Sequence, residues 1–94
     1  MRIEFDPAKS QKNAWERGLP FDLAAAFDFD SAWIVMDDRR DYGEVCYRAI
    51  GQMNDVVAVV VFTMREDTVR VISLRLASRK ERLRYERQNK EDQG

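Results

Sequence analysis

The residues best suited to chemistry in this sequence are four arginines and a tyrosine in its last third. Arg79, Arg82 and Tyr85 are spaced three apart, which places them in one row if this segment is helical. Arg75 comes just before that segment, and Arg65 lies one turn and one strand earlier. Guanidinium groups bind phosphate oxygens in a bidentate manner and stabilise the extra charge of a pentacoordinate transition state. The set predicts a site for a phosphodiester.

Charge is unevenly distributed along the chain. Nine Arg and Lys lie between residues 65 and 90, against four acids, whereas the first 64 residues carry seven bases and eleven acids. The net charge of −1 therefore conceals a basic C-terminal third, which is typical of a polyanion-binding surface. A helix whose charges are simply solvated is the alternative interpretation.

The composition restricts which groups could carry protons or bind metals. None of the 94 residues is histidine, the commonest acid–base catalyst and metal ligand. No clustered carboxylates suggest a metal site, so we expect metal-independent chemistry without a cofactor. Proton transfer would then fall to Lys, Tyr or Glu with shifted pKa values. The single cysteine, Cys46, excludes an intramolecular disulfide and, lying in an apolar run, is expected to be buried.

The elements that must position these side chains can be predicted from local patterns. Residues 56–64 are almost continuously apolar and β-branched, which indicates a central strand. Ser78 and Glu81 have the spacing of a capping box, so a helix is expected to begin there. The remaining predicted elements are a strand over Met1–Phe5, a helix from Asp6-Pro7 to Gly18, a helix from Leu19-Pro20 through Phe27, and strands over Trp33–Met36, Glu44–Gln52 and Thr68–Leu76.

Short connections between the last four strands predict an antiparallel meander. We therefore expect an α+β fold, with two N-terminal helices and one C-terminal helix lying mainly on one face of the sheet. The expected domain covers residues 1–87, and the polar tail 88–94 is expected to fray. The polar link Asp37–Gly43 would connect two strands of the meander.

The alternation of side chains along the last strand assigns faces to its residues. Ile72, Leu74 and Leu76 are expected in the core, so Ser73 and Arg75 would face a groove. Arg65 shares that groove only if the preceding loop contains three residues. A two-residue turn is disfavoured because it would consist of Glu and Asp, without Gly or Asn.

The first helix carries few apolar residues, so several of its polar side chains should face outward or toward a ligand. Lys9, Lys12 and Asn13 are in this group, whereas Trp15 and Trp33 are interpreted as core residues. The N-terminus lacks an apolar segment typical of a signal peptide, and the longest apolar run is under ten residues. We therefore expect a cytoplasmic protein with no membrane span.

Several segments resemble a known family over residues 3–86. The segment FDPAKSQKN is similar to the pattern F-x-W-D-x-x-K-x-x-x-N, and VRVISLRLASRKERLRYE is similar to R-I-I-S-A-R-x-A-[ST]-x-x-E-R-x-x-Y. Gly18, the segment FDLAAAFDFD and the segment VVVFTMRE also match. These are features of the BrnT toxins of type II toxin–antitoxin systems. Two positions depart from the pattern: Phe5 replaces a tryptophan, and Glu16-Arg17 stands where the family usually has Lys-His.

The resemblance implies a RelE-like fold and an endoribonuclease that blocks translation by cutting RNA. It also implies an antitoxin of the BrnA type that neutralises the toxin in a hetero-oligomer and contacts DNA on behalf of the complex. The residues that match the family's catalytic positions are Lys9, Arg65, Arg75, Arg79 and Tyr85, and the residues assigned to RNA binding are Lys12, Arg17 and Arg82.

Two other functions remain open at this level. A catalytically decayed toxin would still bind its antitoxin and assist transcriptional regulation, and the missing histidine favours it. A direct nucleic-acid-binding regulator would insert the Arg-rich helix into a groove, although Glu81 and Glu86 interrupt the basic residues of that helix.

Overall fold

A five-stranded sheet in the order β1-β5-β4-β3-β2 organises the chain. The computed structural model describes residues 2–38 and 43–93, so Met1 and most of the expected polar link lie outside the described residues. The elements are β1 (Arg2–Phe5), α1 (Pro7–Arg17), a 3-10 helix (Phe21–Ala26), β2 (Trp33–Met36), β3 (Tyr47–Met53), β4 (Val56–Arg65), β5 (Thr68–Leu76) and α2 (Arg79–Gln93).

The expected meander of four antiparallel strands is confirmed, and the α+β class with it. Strands β2 to β5 pair in sequence order, and β1 pairs with β5 in parallel. Strand β3 begins three residues later than expected, at Tyr47. Helix α2 continues to Gln93, beyond the point at which the expected polar tail begins.

Local signals determine both ends of α1. The Asp6 side chain accepts a hydrogen bond from the backbone N–H of Ala8 at 2.9 Å, and Pro7 occupies the first helical position. Gly18 ends the helix with a left-handed φ of 71°, and its N–H bonds back to the carbonyl of Ala14. These contacts confirm the predicted bounds of the first helix.

The second helix differs from the prediction, because it is a six-residue 3-10 helix that ends at Ala26. Its buried apolar residues are Phe21 and Ala24, and buried Phe27 follows it. A period of three matches the 3-10 helix, in which side chains three apart lie above one another. Phe27 then forms an isolated bridge with Met53 at the sheet, which leaves no room for a longer helix.

The 3-10 helix and α2 lie on opposite faces of the sheet, which differs from the expectation that the helices lie mainly on one face. The 3-10 helix packs with the larger core cluster, which includes Val60, Phe62 and Leu74. Helix α2 covers the opposite face, where Tyr85 packs against Ile50 and Val59. Since the run in β4 is apolar on both faces, each face needs its own cover.

The hairpin between β4 and β5 also differs from the prediction. Its turn has two residues, Glu66 and Asp67, because Arg65 pairs directly with Thr68. Glu66 adopts a left-handed φ of 57°, which supplies the chain reversal that Gly or Asn usually provides.

A bulge in β5 then changes which of its side chains point to each face of the sheet. Val61 pairs with Ser73 and Phe62 pairs with Val71, so Ile72 is the extra residue of a bulge. Ile72 is half-buried as a result. Of the three residues expected in the core, Leu74 is fully buried, whereas the side chain of Leu76 is 51% exposed.

Candidate active site along β5

The C-terminal half of β5 presents an edge that α1 covers. Strand β1 pairs with β5 only as far as Val71. Beyond that point, Asn13 Nδ2 donates hydrogen bonds to the carbonyl of Leu74 at 2.9 Å and to the carbonyl of Leu19 at 2.6 Å. Arg17 Nη1 donates to the same Leu74 carbonyl at 3.3 Å. Side chains of α1 therefore satisfy the strand edge and fix the helix beside it.

A cavity of about 370 Å³ opens between α1 and this strand, and we refer to it as the β5 edge cleft. It gathers Lys9, Lys12 and Arg17, which the sequence singled out as site residues, around the bulge of β5. Lys12 Nζ lies 3.9 Å from Glu16 Oε1, and both side chains are largely exposed, so this pair is weak. The full lining is Lys9, Lys12, Asn13, Glu16, Arg17, Phe21, Ile72 and Ser73.

Arg75 follows the cleft along β5 and is held by a carboxylate. Its Nη1 and Nη2 donate to the two oxygens of Glu81 at 2.7 and 2.8 Å. The hydrogen bonds from Arg75 are the main reason why the pKa of Glu81 falls from its usual value to about 2, and the Ser78 backbone N–H adds to the effect. Glu81 is therefore ionised at neutral pH and is a poor proton acceptor.

The predicted capping box at the start of α2 is confirmed. The Ser78 N–H donates to Glu81 Oε1 at 2.8 Å, and the Glu81 N–H donates to Ser78 Oγ at 3.2 Å. Glu81 therefore has two tasks, because the same carboxylate caps the helix and orients Arg75.

The other predicted residues of α2 differ in exposure. Arg79 and Arg82 are exposed in the first turns of the helix. Tyr85 is 6% exposed and packs against the sheet beneath the helix. The expected row is present along the helix, but its last member faces the core.

Arg65 lies at the far end of the sheet from Arg75. The bulge places both side chains on the same face, but Arg75 pairs with Val59, six residues before Arg65 on β4. Six residues of strand span roughly 20 Å. Arg65 instead lies 3.9 Å from Glu4 and 3.6 Å from Glu44, so the predicted convergence of all the arginines on one pocket does not occur.

A second basic hollow, of about 490 Å³, lies between α2 and β2 and was missed by sequence reasoning. The signal that could have revealed it is the spacing of Lys80, Arg84 and Arg87, which share one helix face. Trp33 is half-buried in this hollow. Trp15, also expected in the core, is 91% exposed on α1.

Two further features bear on the chemistry. Cys46 is buried as expected. This burial is the main reason why the pKa of its thiol is raised, and the nearby carboxylates of Glu44 and Asp37 add to the effect. Within residues 2–38 and 43–93, no group of three or more Cys, Asp or Glu is arranged to hold a metal ion. No helix in this same part of the chain has the length and apolarity needed to cross a membrane.

Comparison with known proteins identifies one family. The profile of the ribonuclease toxin BrnT of type II toxin–antitoxin systems matches residues 5–81. The match includes all of α1, the whole of β5 and both members of the Arg75–Glu81 pair. Among curated proteins, none matches the chain.

Proposed function

Because the chain belongs to the BrnT family of ribonuclease toxins of type II toxin–antitoxin systems, we propose that it cleaves RNA at the β5 edge cleft, with Arg75 beside it. The observation that carries the proposal is the convergence of Lys9, Lys12 and Arg17 on the strand that presents Arg75. Three cations against one carboxylate give this cleft the charge that a polynucleotide backbone requires.

The groups of the cleft suit a metal-independent transphosphorylation. The 2′-hydroxyl oxygen would attack phosphorus while the bond to the 5′ oxygen breaks, which leaves a 2′,3′-cyclic phosphate and a 5′-hydroxyl. Glu16 would accept the proton of the 2′-hydroxyl, and Lys9 would give one to the departing 5′ oxygen. Arg75 and Arg79 would stabilise the charge on the phosphorane oxygens.

Tyr85 has a different place in this proposal from the one that the sequence suggested. Its ring packs under α2 with 6% exposure, so it would support the helix that carries Glu81 rather than contact RNA. Lys12, Arg17 and Arg82 would bind flanking phosphates.

The test is to incubate the purified, folded chain with RNA and to follow cleavage. Lys9→Gln and Glu16→Gln should each lower the rate at least about a hundredfold, the usual contribution of a general acid or base. EDTA should have no effect. Arg2→Gln is the matched control, because it removes an exposed charge from the start of β1, where Arg2 pairs with Thr68 at the opposite end of β5 from Arg75. RNA that stays intact in the presence of the folded wild-type chain would contradict the proposal.

Membership of this family implies an antitoxin protein as partner. We infer that this is a BrnA-type antitoxin, that it forms a hetero-oligomer with the chain in the cytoplasm, and that DNA is contacted through the antitoxin. Co-expression with the neighbouring open reading frame should restore growth and yield a complex of the two chains. Recovery of the chain alone from such cells would argue against this partner.

A second candidate function is antitoxin binding without catalysis. The observation that favours it is Arg17, which occupies the family's histidine position and bonds to the Leu74 carbonyl at 3.3 Å. A guanidinium group is a poor general base. This function predicts a stable antitoxin complex and no growth arrest when the chain is expressed by itself.

A further inference from the structure

The cavity between α2 and β2, which we call the α2–β2 groove, is separate from the β5 edge cleft. Its volume is about 490 Å³, and three of its lining residues are cations. Strands β3 and β4 lie between β2 and β5, so the two sites are roughly 14 Å apart across the sheet at the usual strand spacing. The lining residues are Trp33, Lys80, Leu83, Arg84, Arg87 and Gln88.

The charges of α2 are segregated toward this groove. Lys80, Arg84 and Arg87 follow each other at spacings of four and three, so they share the helix face next to β2. Glu81 points instead toward Arg75 on β5. In the part of the chain that the structure describes, no carboxylate forms an ion pair with these three cations, whereas Arg65, Arg70 and Arg75 each have at least one carboxylate partner.

Arg84 and Trp33 form a stacked pair at the floor of the groove. The guanidinium carbon of Arg84 lies 4.6 Å from the centroid of the Trp33 ring, which is the geometry of a cation–π contact. The ring is itself packed against the cluster of Ile50, Val59 and Tyr85. The indole is therefore anchored, and it holds the guanidinium in place above it.

We propose that the α2–β2 groove binds a single-stranded segment of RNA, and that one base stacks on the Arg84–Trp33 pair while Lys80 and Arg87 bind the adjacent phosphates. Nucleobases stack on guanidinium planes and aromatic rings, and cations beside such a platform are the usual arrangement for single strands. The inference rests on the proposed function in one respect, because that function supplies RNA as the ligand. The groove extends substrate recognition beyond the cleavage site.

The test uses the full chain carrying Trp15→Phe, so that Trp33 is the remaining tryptophan. The probe is a mixed-sequence, single-stranded 2′-O-methyl oligoribonucleotide, which cannot be cleaved by its own 2′-hydroxyl. Binding should quench Trp33 fluorescence. Arg84→Gln should weaken binding about tenfold, as expected for the loss of one stacked base. Arg87→Gln should reduce the slope of log K against log salt by about 0.7.

The controls separate the groove from the cleavage site and from other ligands. Arg2→Gln, on the opposite edge of the sheet, should bind the probe as the parent does. An abasic oligonucleotide of the same length should bind without quenching. The cleavage rate of a dinucleotide, too short to span both sites, should be unchanged in Arg84→Gln, whereas KM for a long RNA should rise.

Three other results of the binding test would each decide what the α2–β2 groove binds. Unaltered binding of the probe by both Arg84→Gln and Arg87→Gln would overturn the proposal. Loss of antitoxin binding in these variants, with RNA binding intact, would assign the groove to an acidic protein partner instead. Groove-dependent binding by a chain that cleaves no RNA would uphold this inference and contradict the proposed ribonuclease activity.

Discussion

Arg75 on the last strand and Glu81 on the final helix form a bidentate ion pair, with N–O distances of 2.7 and 2.8 Å. The same carboxylate accepts the Ser78 N–H at the start of the helix. One side chain therefore joins strand to helix and fixes the direction of a guanidinium that we place at the cleavage site. Orientation of this kind lowers the reorganisation needed when charge develops in a transition state.

The first prediction concerns the pH dependence of stability. Since the pKa of Glu81 is lowered to about 2 in the folded chain, its contribution is fully present above the ordinary value of 4.5 and is lost as the pH falls toward 2. Because both side chains are partly exposed, Glu81→Gln should cost on the order of 1–2 kcal/mol at pH 7. Denaturant unfolding of both proteins between pH 7 and pH 2 measures the difference.

Glu86→Gln is the matched control for this experiment, because it removes an exposed carboxylate from the same helix. Its effect should stay within about 0.5 kcal/mol, as is usual for surface substitutions. If Glu81→Gln lowered the free energy of unfolding by the same amount at pH 2 as at pH 7, the ionised form of Glu81 would not be the source of its contribution to stability.

The second prediction concerns the attachment of α1 to β5. Asn13 is buried and bonds to two backbone carbonyls, those of Leu19 and Leu74. Asn13→Asp retains the shape but replaces a donor with an anion beside carbonyl oxygens, so it should cost about 3 kcal/mol or more. RNA cleavage should fall as well, since α1 carries Lys9. Thermal unfolding and a cleavage assay on the same preparations measure both effects.

Gln11→Ala serves as the control, because Gln11 is exposed on the same helix. It should leave the melting temperature and the cleavage rate close to those of the wild type. A stable Asn13→Asp variant would mean that α1 is held against the strand edge by other contacts.

The sequence predicted those elements whose signals are local. Asp6, Pro7 and Gly18 define α1 through contacts made within a few residues, and Ser78 with Glu81 defines the start of α2. The meander followed from short connections.

The remaining features depend on contacts between distant segments. The bulge at Ile72 changes which residues of β5 face the core, and no local pattern marks it. The parallel pairing of β1 with β5 and the placement of α2 on the opposite face are decided by packing of the whole sheet. For these reasons the sequence placed Arg65 and Tyr85 in one open pocket with Arg75, whereas the structure places Arg65 six residues along β4 from the partner of Arg75 and buries Tyr85.

The third prediction tests close packing at Gly51. A Cβ at this position would lie 2.9 Å from the Cβ of Ala32 and 2.9 Å from the Cζ of Phe27. Both neighbours belong to the segment that packs on the sheet. Gly51→Ala should therefore destabilise the fold by about 1–3 kcal/mol, the usual cost of overpacking, as measured by denaturant unfolding.

Gly18→Ala provides the comparison, because a Cβ at Gly18 meets nothing within 4 Å while the φ of 71° strains any L residue. Its cost should be about 1–2 kcal/mol from backbone conformation alone. If Gly51→Ala proved as stable as the wild type, the segment around Ala32 would have to shift away from β3 without penalty.

The fourth prediction decides how far the catalytic site extends across the sheet. Arg65 is 55% exposed, and its carboxylate contacts of 3.6 and 3.9 Å are of the kind that contributes less than about 1 kcal/mol. It lies roughly 20 Å along β4 from the partner of Arg75. Arg65→Ala should therefore change kcat/KM for RNA by less than about threefold, which is a barrier difference under about 0.7 kcal/mol. Lys9→Gln, by contrast, should abolish most of the cleavage activity.

Circular dichroism would establish that both variants are folded. A hundredfold loss in a folded Arg65→Ala variant would place the reacting phosphate near Arg65 and would remove the β5 edge cleft from the chemistry.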